Sequence, residues 1–492
     1  MWATLLVLPA CQDKDLDADD SAAMGEACDP AGSEDAPECE EGLVCEQVDN
    51  ADGYVCGAPL EIRGVVIDAM TEAPIADALV AALDETGTPV GDSTRSDATG
   101  HYVLQVTARR DPSGELASAI KWTMFSAAVD YATFPGGIRP AIPVDATGAI
   151  EETVKDDDDD EHTIQVIENI TTTVALLHLP DGGGYTVAGT VGGEVPGGTL
   201  VVAEGGEGVG RYTIADASGK YVIFNVPTGA ASIRGYRVGL ELEPTTTQIV
   251  DGDLAEVDLA VVAEGVDELA TLSGSVNIVN AAGGSTTSVV LVPVSVFDTV
   301  LERGPVPMGL RAPSPPDAPT VSSAFGIAGV PSGTYKALAA FENDSLVRDP
   351  DTSIGGTTLQ EVTVARGAGT TALEESFKVT EALSVISPGA DVPEWVAEPP
   401  DLVWADDSSE DGYHLWVYDA FGNLVWEVEE VPRVTGDKEV RVAWDGPALE
   451  TGMAYQFRVA SYHDEGGQVF ISKSEDLRGV FFYGTAPTVE DE

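Results

Sequence analysis

Basic residues are scarce in this 492-residue sequence. It has 24 Lys and Arg against 84 Asp and Glu, which gives a formal net charge of −60. Nucleic acids and anionic lipid head groups are bound through clusters of Lys and Arg, and a surface of this charge repels them. We therefore expect no nucleic-acid partner. We interpret the acidity itself as a source of solubility in a medium whose ions screen the self-repulsion.

Long hydrophobic runs are also missing, and no stretch reaches the ~18 apolar residues that a membrane-spanning helix requires. The one hydrophobic leader is Met1–Ala10, and a polar segment follows it directly. Leu8-Pro9-Ala10-Cys11 resembles the lipobox of bacterial lipoproteins, in which the peptide is cut before a cysteine that then carries lipid. The resemblance implies a lipid anchor at Cys11 and a place in the outer membrane or at the cell surface. Secretion without an anchor is the alternative.

Cysteine is confined to one short region. Apart from Cys11, the chain has only Cys28, Cys39, Cys45 and Cys56. An even, clustered set after an export signal predicts a disulfide-bonded module, because about 30 residues cannot form a stable core without covalent links. Zinc is the alternative, but structural zinc sites favour cysteines about two to four residues apart, closer than the cysteines here.

The segment Cys39–Cys45 reads C-x-x-G-L-x-C. It resembles small cysteine-rich modules that lie near the start of many exported proteins. The resemblance implies the interleaved pairing of Cys28 with Cys45 and of Cys39 with Cys56, whereas spacing alone leaves all three pairings open.

Motifs for catalysis are absent. The five histidines lie outside any zinc-peptidase pattern, and no nucleophile elbow, phosphate-binding loop or dinucleotide fingerprint occurs. Disulfide formation would leave no cysteine as a nucleophile. We therefore predict a protein without enzymatic activity and without a cofactor, and an unrecognised secreted hydrolase is the alternative.

Two acidic runs raise the question of calcium. The tether at residues 12–27 contains aspartates spaced as in an EF-hand loop, but Asp20 stands where that loop needs glycine, which favours a disordered spacer. The second run consists of Asp156, Asp157, Asp158, Asp159 and Asp160. We interpret it as a solvated loop, with a weak calcium site as the alternative.

The body of the chain is rich in Val, Thr, Gly and Pro and is internally repetitive. Asp97–Val103 reads D-A-T-G-H-Y-V, and Asp216–Val222 reads D-A-S-G-K-Y-V. In each repeat the aspartate should accept hydrogen bonds from amides about two residues on, and the glycine should supply the positive φ that closes a tight hairpin. We expect the tyrosine that follows to point inward. These features predict all-β tandem antiparallel sandwiches.

The first repeat carries a more specific likeness. Gly64–Asp68, Pro74-Ile75, Ala78–Val80 and Ser96–Tyr102 together resemble the carboxypeptidase regulatory-like domain. That family has a transthyretin-like sandwich and is not itself a peptidase. The resemblance is strongest over residues 60–107, weaker over 185–262 and weakest over 270–380. The third repeat has a Pro-rich insertion from Arg303 to Thr320, which should loop out of the sheet.

Residues 382–486 differ from the repeats in composition, because they contain five of the seven tryptophans. Trp404 together with the later pattern L-x-x-G-x-x-Y-x-F-x-V resembles fibronectin type III domains. The resemblance implies that Trp404 is a core tryptophan and Tyr455 a corner tyrosine.

One strand of this domain, residues 413–418, should bury Tyr413, Leu415 and Val417 on one face and carry other aromatics on the opposite face. The candidate ligand-contacting aromatics are His414, Trp416, Tyr418 and Trp426. Their packing over the sheet is the alternative.

The predicted organisation has eight parts: a signal peptide with lipobox (1–11), an acidic tether (12–27), the disulfide-rich module (28–57), three sandwiches (58–182, 183–265 and 266–381), the fibronectin type III-like domain (382–486) and an acidic tail (487–492). We predict a lipid-anchored cell-surface protein that serves as a stalk, adhesion or protein-binding module. A carbohydrate-binding accessory protein is the alternative. The expected partners are the membrane, through the lipid, and a protein or polysaccharide ligand.

Overall fold

The computed structural model describes residues 21–486, apart from 31–36, 156–158, 206–209, 280, 282, 316, 342–343 and 368. The predicted signal peptide, Cys11, most of the tether, the acidic tail and three of the five aspartates of the calcium alternative lie outside these residues. In the described part the chain is all-β, as predicted, and its helices are four short 3-10 turns: Ala146–Gly148, Ile170–Thr172, Val266–Glu268 and Val294–Val296. No helix there is long and apolar enough to cross a membrane.

The strands are numbered in the order in which they follow one another along the chain. Those of the N-terminal part are β1 (Val44–Gln47), β2 (Tyr54–Gly57), β3 (Leu60–Asp68), β4 (Leu79–Leu83), β5 (Thr94–Arg95), β6 (His101–Val106), β7 (Lys121–Ala127), β8 (Val144–Asp145), β9 (Ile150–Lys155), β10 (Glu161–Ile167) and β11 (Val174–Leu176). Those of the second repeat are β12 (Tyr185–Thr190), β13 (Leu200–Glu204), β14 (Arg211–Ile214), β15 (Lys220–Val226), β16 (Gly229–Tyr236), β17 (Leu240–Leu242), β18 (Thr245–Ile249) and β19 (Val261–Glu264).

The third repeat and the C-terminal domain contain the remaining strands. Those of the third repeat are β20 (Ala270–Val279), β21 (Val289–Pro293), β22 (Arg311–Ala312), β23 (Ala324–Val330), β24 (Gly333–Ala339), β25 (Leu346–Arg348), β26 (Gln360–Val364), β27 (Thr370–Ala372) and β28 (Phe377–Glu381). Those of the C-terminal domain are β29 (Val385–Ser387), β30 (Glu394–Val396), β31 (Leu402–Ala405), β32 (Gly412–Asp419), β33 (Leu424–Pro432), β34 (Glu439–Val442), β35 (Ala454–Asp464), β36 (Gln468–Lys473) and β37 (Val480–Tyr483).

The chain divides into two compact units. Within the described residues, the small unit comprises the chain up to Leu60 together with Thr107–Ser118 and Glu151–Gln165, and the large unit comprises the rest. The last two segments of the small unit fall inside the range that the sequence pattern assigns to the first sandwich.

The small unit contains both disulfides and a buried ion pair. Cys28 pairs with Cys45 and Cys39 with Cys56, which is the interleaved arrangement that the resemblance implies. The fully buried Arg110 donates to Glu46 of β1 at 2.5 Å and to Gln165 of β10 at 2.6 Å. Burial raises the pKa of Glu46, although the charge of Arg110 and the amide of Ala108 act in the opposite direction. The side chain of Arg110 therefore joins three separate chain segments of this unit.

The three repeats of the large unit share one sheet order. In each, a four-stranded sheet places the second strand of the repeat between its short edge partner and a later strand, and that later strand pairs in turn with the last one: β5-β4-β7-β8, β14-β13-β16-β18 and β22-β21-β24-β26. The opposing layer pairs the first strand with the one that follows the edge strand: β3 with β6, β12 with β15 and β20 with β23. Among its described residues, the Pro-rich insertion supplies the two-residue edge strand β22, in keeping with the confinement of proline-rich segments to sheet edges.

The repeated D-A-T/S-G turn is closed in the way the sequence predicts. Asp97 Oδ1 accepts from the Thr99 amide at 2.7 Å, and Gly100 has a φ of +80°. Asp216 Oδ1 accepts from the Ser218 amide at 3.1 Å in the second repeat. The following tyrosines of both repeats are buried. However, the strands on either side of the turn join different sheets, so the turn is a corner between layers and not the expected hairpin.

Neighbouring sandwiches of the large unit share apolar cores. On β13, Leu200 and Val202 point into the core of the third sandwich, whereas Val201 and Ala203 point into that of the second. Because successive side chains of a strand face opposite sides, burial on both faces demands an unbroken apolar run. The apolar run Leu200–Ala203 is therefore explained by the packing of the second sandwich on the third. If the sandwiches did not touch, one face of β13 would be exposed to solvent.

Candidate functional site

Strand β32 has the two faces that the sequence predicts. Tyr413, Leu415 and Val417 are fully buried in the core of the C-terminal domain, and Trp416 and Tyr418 on the other face are partly exposed. Trp404 is buried beside Tyr413, and its centroid lies 5.5 Å away. The hydroxyl of Tyr455 accepts from the amide of Glu450 at 2.8 Å, which is the contact expected of a corner tyrosine.

The outward aromatics form a connected group. The ring of His414 stacks on that of Trp416 with centroids 4.0 Å apart, and Phe470 of β36 meets Trp416 edge-on at 5.5 Å. One oxygen of Glu427 lies 2.9 Å from Nε2 of His414 and accepts from Nε1 of Trp416 at 3.1 Å. These contacts fix the Trp416 ring. His414 is itself buried, so it supports that ring more than it offers a surface.

Trp426 is not part of this group. It lies on β33 and packs against Trp444, with ring centroids 4.8 Å apart. Both tryptophans are partly buried and pack against the core of the C-terminal domain. The four aromatics proposed from the sequence therefore separate: Trp416 and Tyr418 belong to one surface, His414 lies beneath it and Trp426 lies elsewhere. Phe470, which joins them, was missed because β36 lacks a clear alternation.

A pocket of about 290 Å³ opens at this surface, between the C-terminal domain and the third sandwich. The C-terminal domain contributes Trp416, Tyr418, Arg458, Ala460, Phe470 and Lys473, and the third sandwich contributes Val300, Glu302, Arg348, Pro350 and Thr352. Ala460 stands between aromatic and basic neighbours on the central strand β35, and its small side chain leaves the space open. Aromatic walls with a few convergent charged groups are typical of ligand pockets.

The charged residues of the pocket pair across the two domains. Glu302 accepts from Arg348 at 2.7 Å through one oxygen and from Lys473 at 3.1 Å through the other. Arg458 approaches Asp476 to 3.2 Å, and the other oxygen of Asp476 accepts from Arg303 at 3.3 Å. This network joins β25, β35 and β36 and the loop that carries Glu302.

The protonation of the network follows from its charge balance. Burial alone would raise the pKa of Glu302, but the charges of Lys473, Arg458 and Arg348 lower it to about 2. Burial, together with Arg458, lowers the pKa of Lys473 to about 8 against the opposing effect of Glu302. Both groups are therefore charged at neutral pH, and the surroundings of the pocket are on balance positive.

The other predicted site residues give no metal centre. In the part of the chain that the structure describes, Cys28, Cys39 and Cys45 form the one group with three close ligand atoms, and all three are in disulfides. Of the aspartate run, Asp159 and Asp160 are described, and Asp159 lies 3.7 Å from Lys155. The calcium alternative stays a prediction.

No family model matches the chain, and no curated protein matches it. Several solved structures do match. The Bacillus anthracis TIE protein is 9% identical over 90% of this chain and 74% of its own, with a TM-score of 0.15. Two B repeat units of the collagen-binding protein of Staphylococcus aureus are 11% identical over 87% of this chain and 100% of their own, with a TM-score of 0.19.

The shaft pilin SpaA of Lactobacillus rhamnosus GG is 11% identical over 42% of this chain and 98% of its own, with a TM-score of 0.15. At TM-scores this low the matches carry no argument about function. The all-β class rests on the strands described above, and the lipoprotein, carboxypeptidase regulatory-like and fibronectin type III-like resemblances rest on the sequence.

Proposed function

We propose that this protein is a non-enzymatic, lipid-anchored protein of the bacterial cell surface that acts as an adhesion or protein-binding module. The observation that carries the proposal is the aromatic and charged pocket between the C-terminal domain and the third sandwich. Trp416 and Tyr418 stand on β32, which is paired on both sides, so the backbone beneath these two rings is held in place. Glu302 and Lys473 are held by one another, which favours a binding role over acid–base chemistry.

A carbohydrate-binding accessory role is the second candidate. The specific observation in its favour is that Trp416, Tyr418 and Phe470 all line one pocket. Aromatic rings offer flat apolar faces to the C–H groups of a sugar ring, and polar groups beside them fix its orientation. The two functions are compatible, because an adhesion module can have a surface glycan as its ligand.

The test is binding of the purified full-length chain to surfaces coated with polysaccharide, with glycoprotein or with unglycosylated protein. We expect Trp416→Ala to lose binding and Trp426→Ala, the same change on another surface of the same domain, to keep it. Circular dichroism of both variants controls for folding. If the wild type binds no coated surface, or if Trp416→Ala binds as well as the wild type, the proposed function is wrong. Binding to unglycosylated protein alone would reject the carbohydrate candidate.

A further inference from the structure

The pocket is surrounded by an excess of positive charge, although the chain as a whole is strongly negative. Four cations meet two carboxylates in the network: Arg303, Arg348, Arg458 and Lys473 against Glu302 and Asp476. Glu427 lies near the rim, where His414 and Trp416 share one of its oxygens. In a chain with a net charge of −60, this local excess of positive charge is a place where an anion is attracted and not repelled.

One donor of this network is unused. Arg458 is 4% exposed, and its Nε–H has no hydrogen-bond partner among the described residues, although its Nη2 faces Asp476. Buried polar groups are usually paired, and Arg458 lines the pocket, so this N–H is a donor that an acceptor on a ligand can satisfy. Arg348 also lines the pocket; its Nη1 donates to the carbonyl of Thr357 and its Nη2 to Glu302, which leaves its remaining N–H groups for a ligand carboxylate.

The backbone around the pocket argues for a particular class of ligand. Strand β32 is paired with β33 on one side and β35 on the other, and β35 is in turn paired with β36. Strands β32 and β35 have partners on both sides, so a peptide cannot pair with them as an added strand. The residues that these two strands contribute to the pocket must therefore act through their side chains, and the available set combines aromatic faces with guanidinium and ammonium groups.

Size and charge narrow the class further. A pocket of about 290 Å³ lies at the small end of ligand pockets and suits roughly one sugar ring. The net charge of −60 of the whole chain repels a polymer that is negatively charged at every residue. A single acid group within, or at the end of, an otherwise neutral glycan meets the positive pocket without that penalty.

We propose that this pocket binds the carboxylate of an acidic sugar residue, a uronic acid unit of a surface or matrix glycan, with the ring against the aromatic residues and the carboxylate against Arg348, Arg458 and Lys473. This inference rests on the proposed binding function and names its ligand class. It assigns the aromatic wall to the sugar ring and the basic wall to its acid group.

The test is calorimetric titration of the full-length chain with glucuronic acid and with glucose, which differ only in the oxidation state of C6. We expect glucuronic acid to bind and glucose to bind at least tenfold more weakly. Arg348→Gln should weaken glucuronic acid binding about tenfold to a hundredfold, since a hydrogen bond to a charged group is lost. Arg441→Gln, which removes an exposed cation paired with Asp401 in the same domain, should leave it unchanged.

Three results would overturn the inference. They are equal binding of the two sugars, wild-type affinity in Arg348→Gln, and acetate or a short peptide with a free carboxyl end binding as tightly as glucuronic acid. If the two sugars bind equally but Trp416→Ala loses binding, the uronic acid inference is wrong and the carbohydrate-binding function is still supported. The two proposals can therefore be rejected independently. Thermal melting of Arg348→Gln shows whether it is folded, and Lys473→Gln provides a second variant if it is not.

Discussion

Lys473 of the C-terminal domain donates to Glu302 of the third sandwich at 3.1 Å, and Arg348 donates to the other oxygen of the same carboxylate. One side chain thus holds two cations at the junction of two domains. Cations that lose their counter-charge in a partly buried place repel one another and destabilise the folded chain. The bonds of Glu302 to Lys473 and Arg348 therefore stabilise the contact between the third sandwich and the C-terminal domain.

Replacing Glu302 with Gln should lower the free energy of unfolding by about 2 kcal/mol, less than for a fully buried pair because the side chains are partly exposed. The pKa of Glu302 is lowered to about 2, so its contribution is complete above pH ~4.5 and is lost as the pH falls towards 2. Chemical denaturation at pH 7 and pH 3 measures both effects.

The control is Glu361→Gln, which breaks the more exposed pair with Lys336 and should change stability by less than about 1 kcal/mol. Equal effects of the two substitutions would contradict the special role of Glu302.

Glu475 should give stability the opposite pH dependence. Burial, with Asp344 in the same direction and Arg478 opposed, raises its pKa to about 7. A carboxyl whose pKa is raised on folding stabilises the folded state at low pH, and that contribution is lost as the pH rises from about 4.5 to 7. The loss is roughly 3 kcal/mol at most. Glu475→Gln should remove this part of the slope in urea unfolding between pH 4.5 and 8. A variant with an unchanged slope would refute the assignment.

Arg110 should be the most sensitive residue of the small unit. Arg110→Met leaves Glu46 buried without its charge partner and should cost about 3–5 kcal/mol. The double variant Arg110→Met/Glu46→Met removes both charges and should recover most of that loss. Arg109→Met alters an exposed neighbour and serves as the control. Hydrogen exchange of β1 and β2 reports the effect locally. A double variant as unstable as the single one would contradict the buried pair.

The predicted lipid anchor has its own test. Cys11→Ser in the full-length precursor removes the thiol that would carry the lipid, so the protein should move from the membrane fraction to the soluble fraction. Ser21→Ala, a neutral change further along the chain, should leave it in the membrane fraction. If the Cys11→Ser protein still floats with membranes, the anchor is elsewhere.

Local signals predicted much of the fold. Alternating strands, the D-A-T/S-G turns and the cysteine spacing act over a few residues, and the structure has the all-β class, the inward tyrosines and the two disulfides. The two faces of β32 also followed from its alternation.

The pocket could not be predicted in the same way. Glu302, Arg348, Arg458 and Lys473 are spread over 172 residues, counted inclusively from Glu302 to Lys473, and meet only because the third sandwich packs on the C-terminal domain. Their sequence signal was weak. The chain has only 24 Lys and Arg, so three of them at one pocket is a notable concentration of positive charge. This concentration can be recognised only after the fold is known.

The most direct test of the binding account is a double-mutant cycle between protein and ligand. The affinities of wild type and Arg348→Gln are measured for glucuronic acid and for its methyl ester, which removes the negative charge and keeps the ring. If the carboxylate meets Arg348, the two changes are not additive, and the ester should bind both proteins with similar affinity. A wild type that binds acid and ester equally well, or additive losses, would contradict the account.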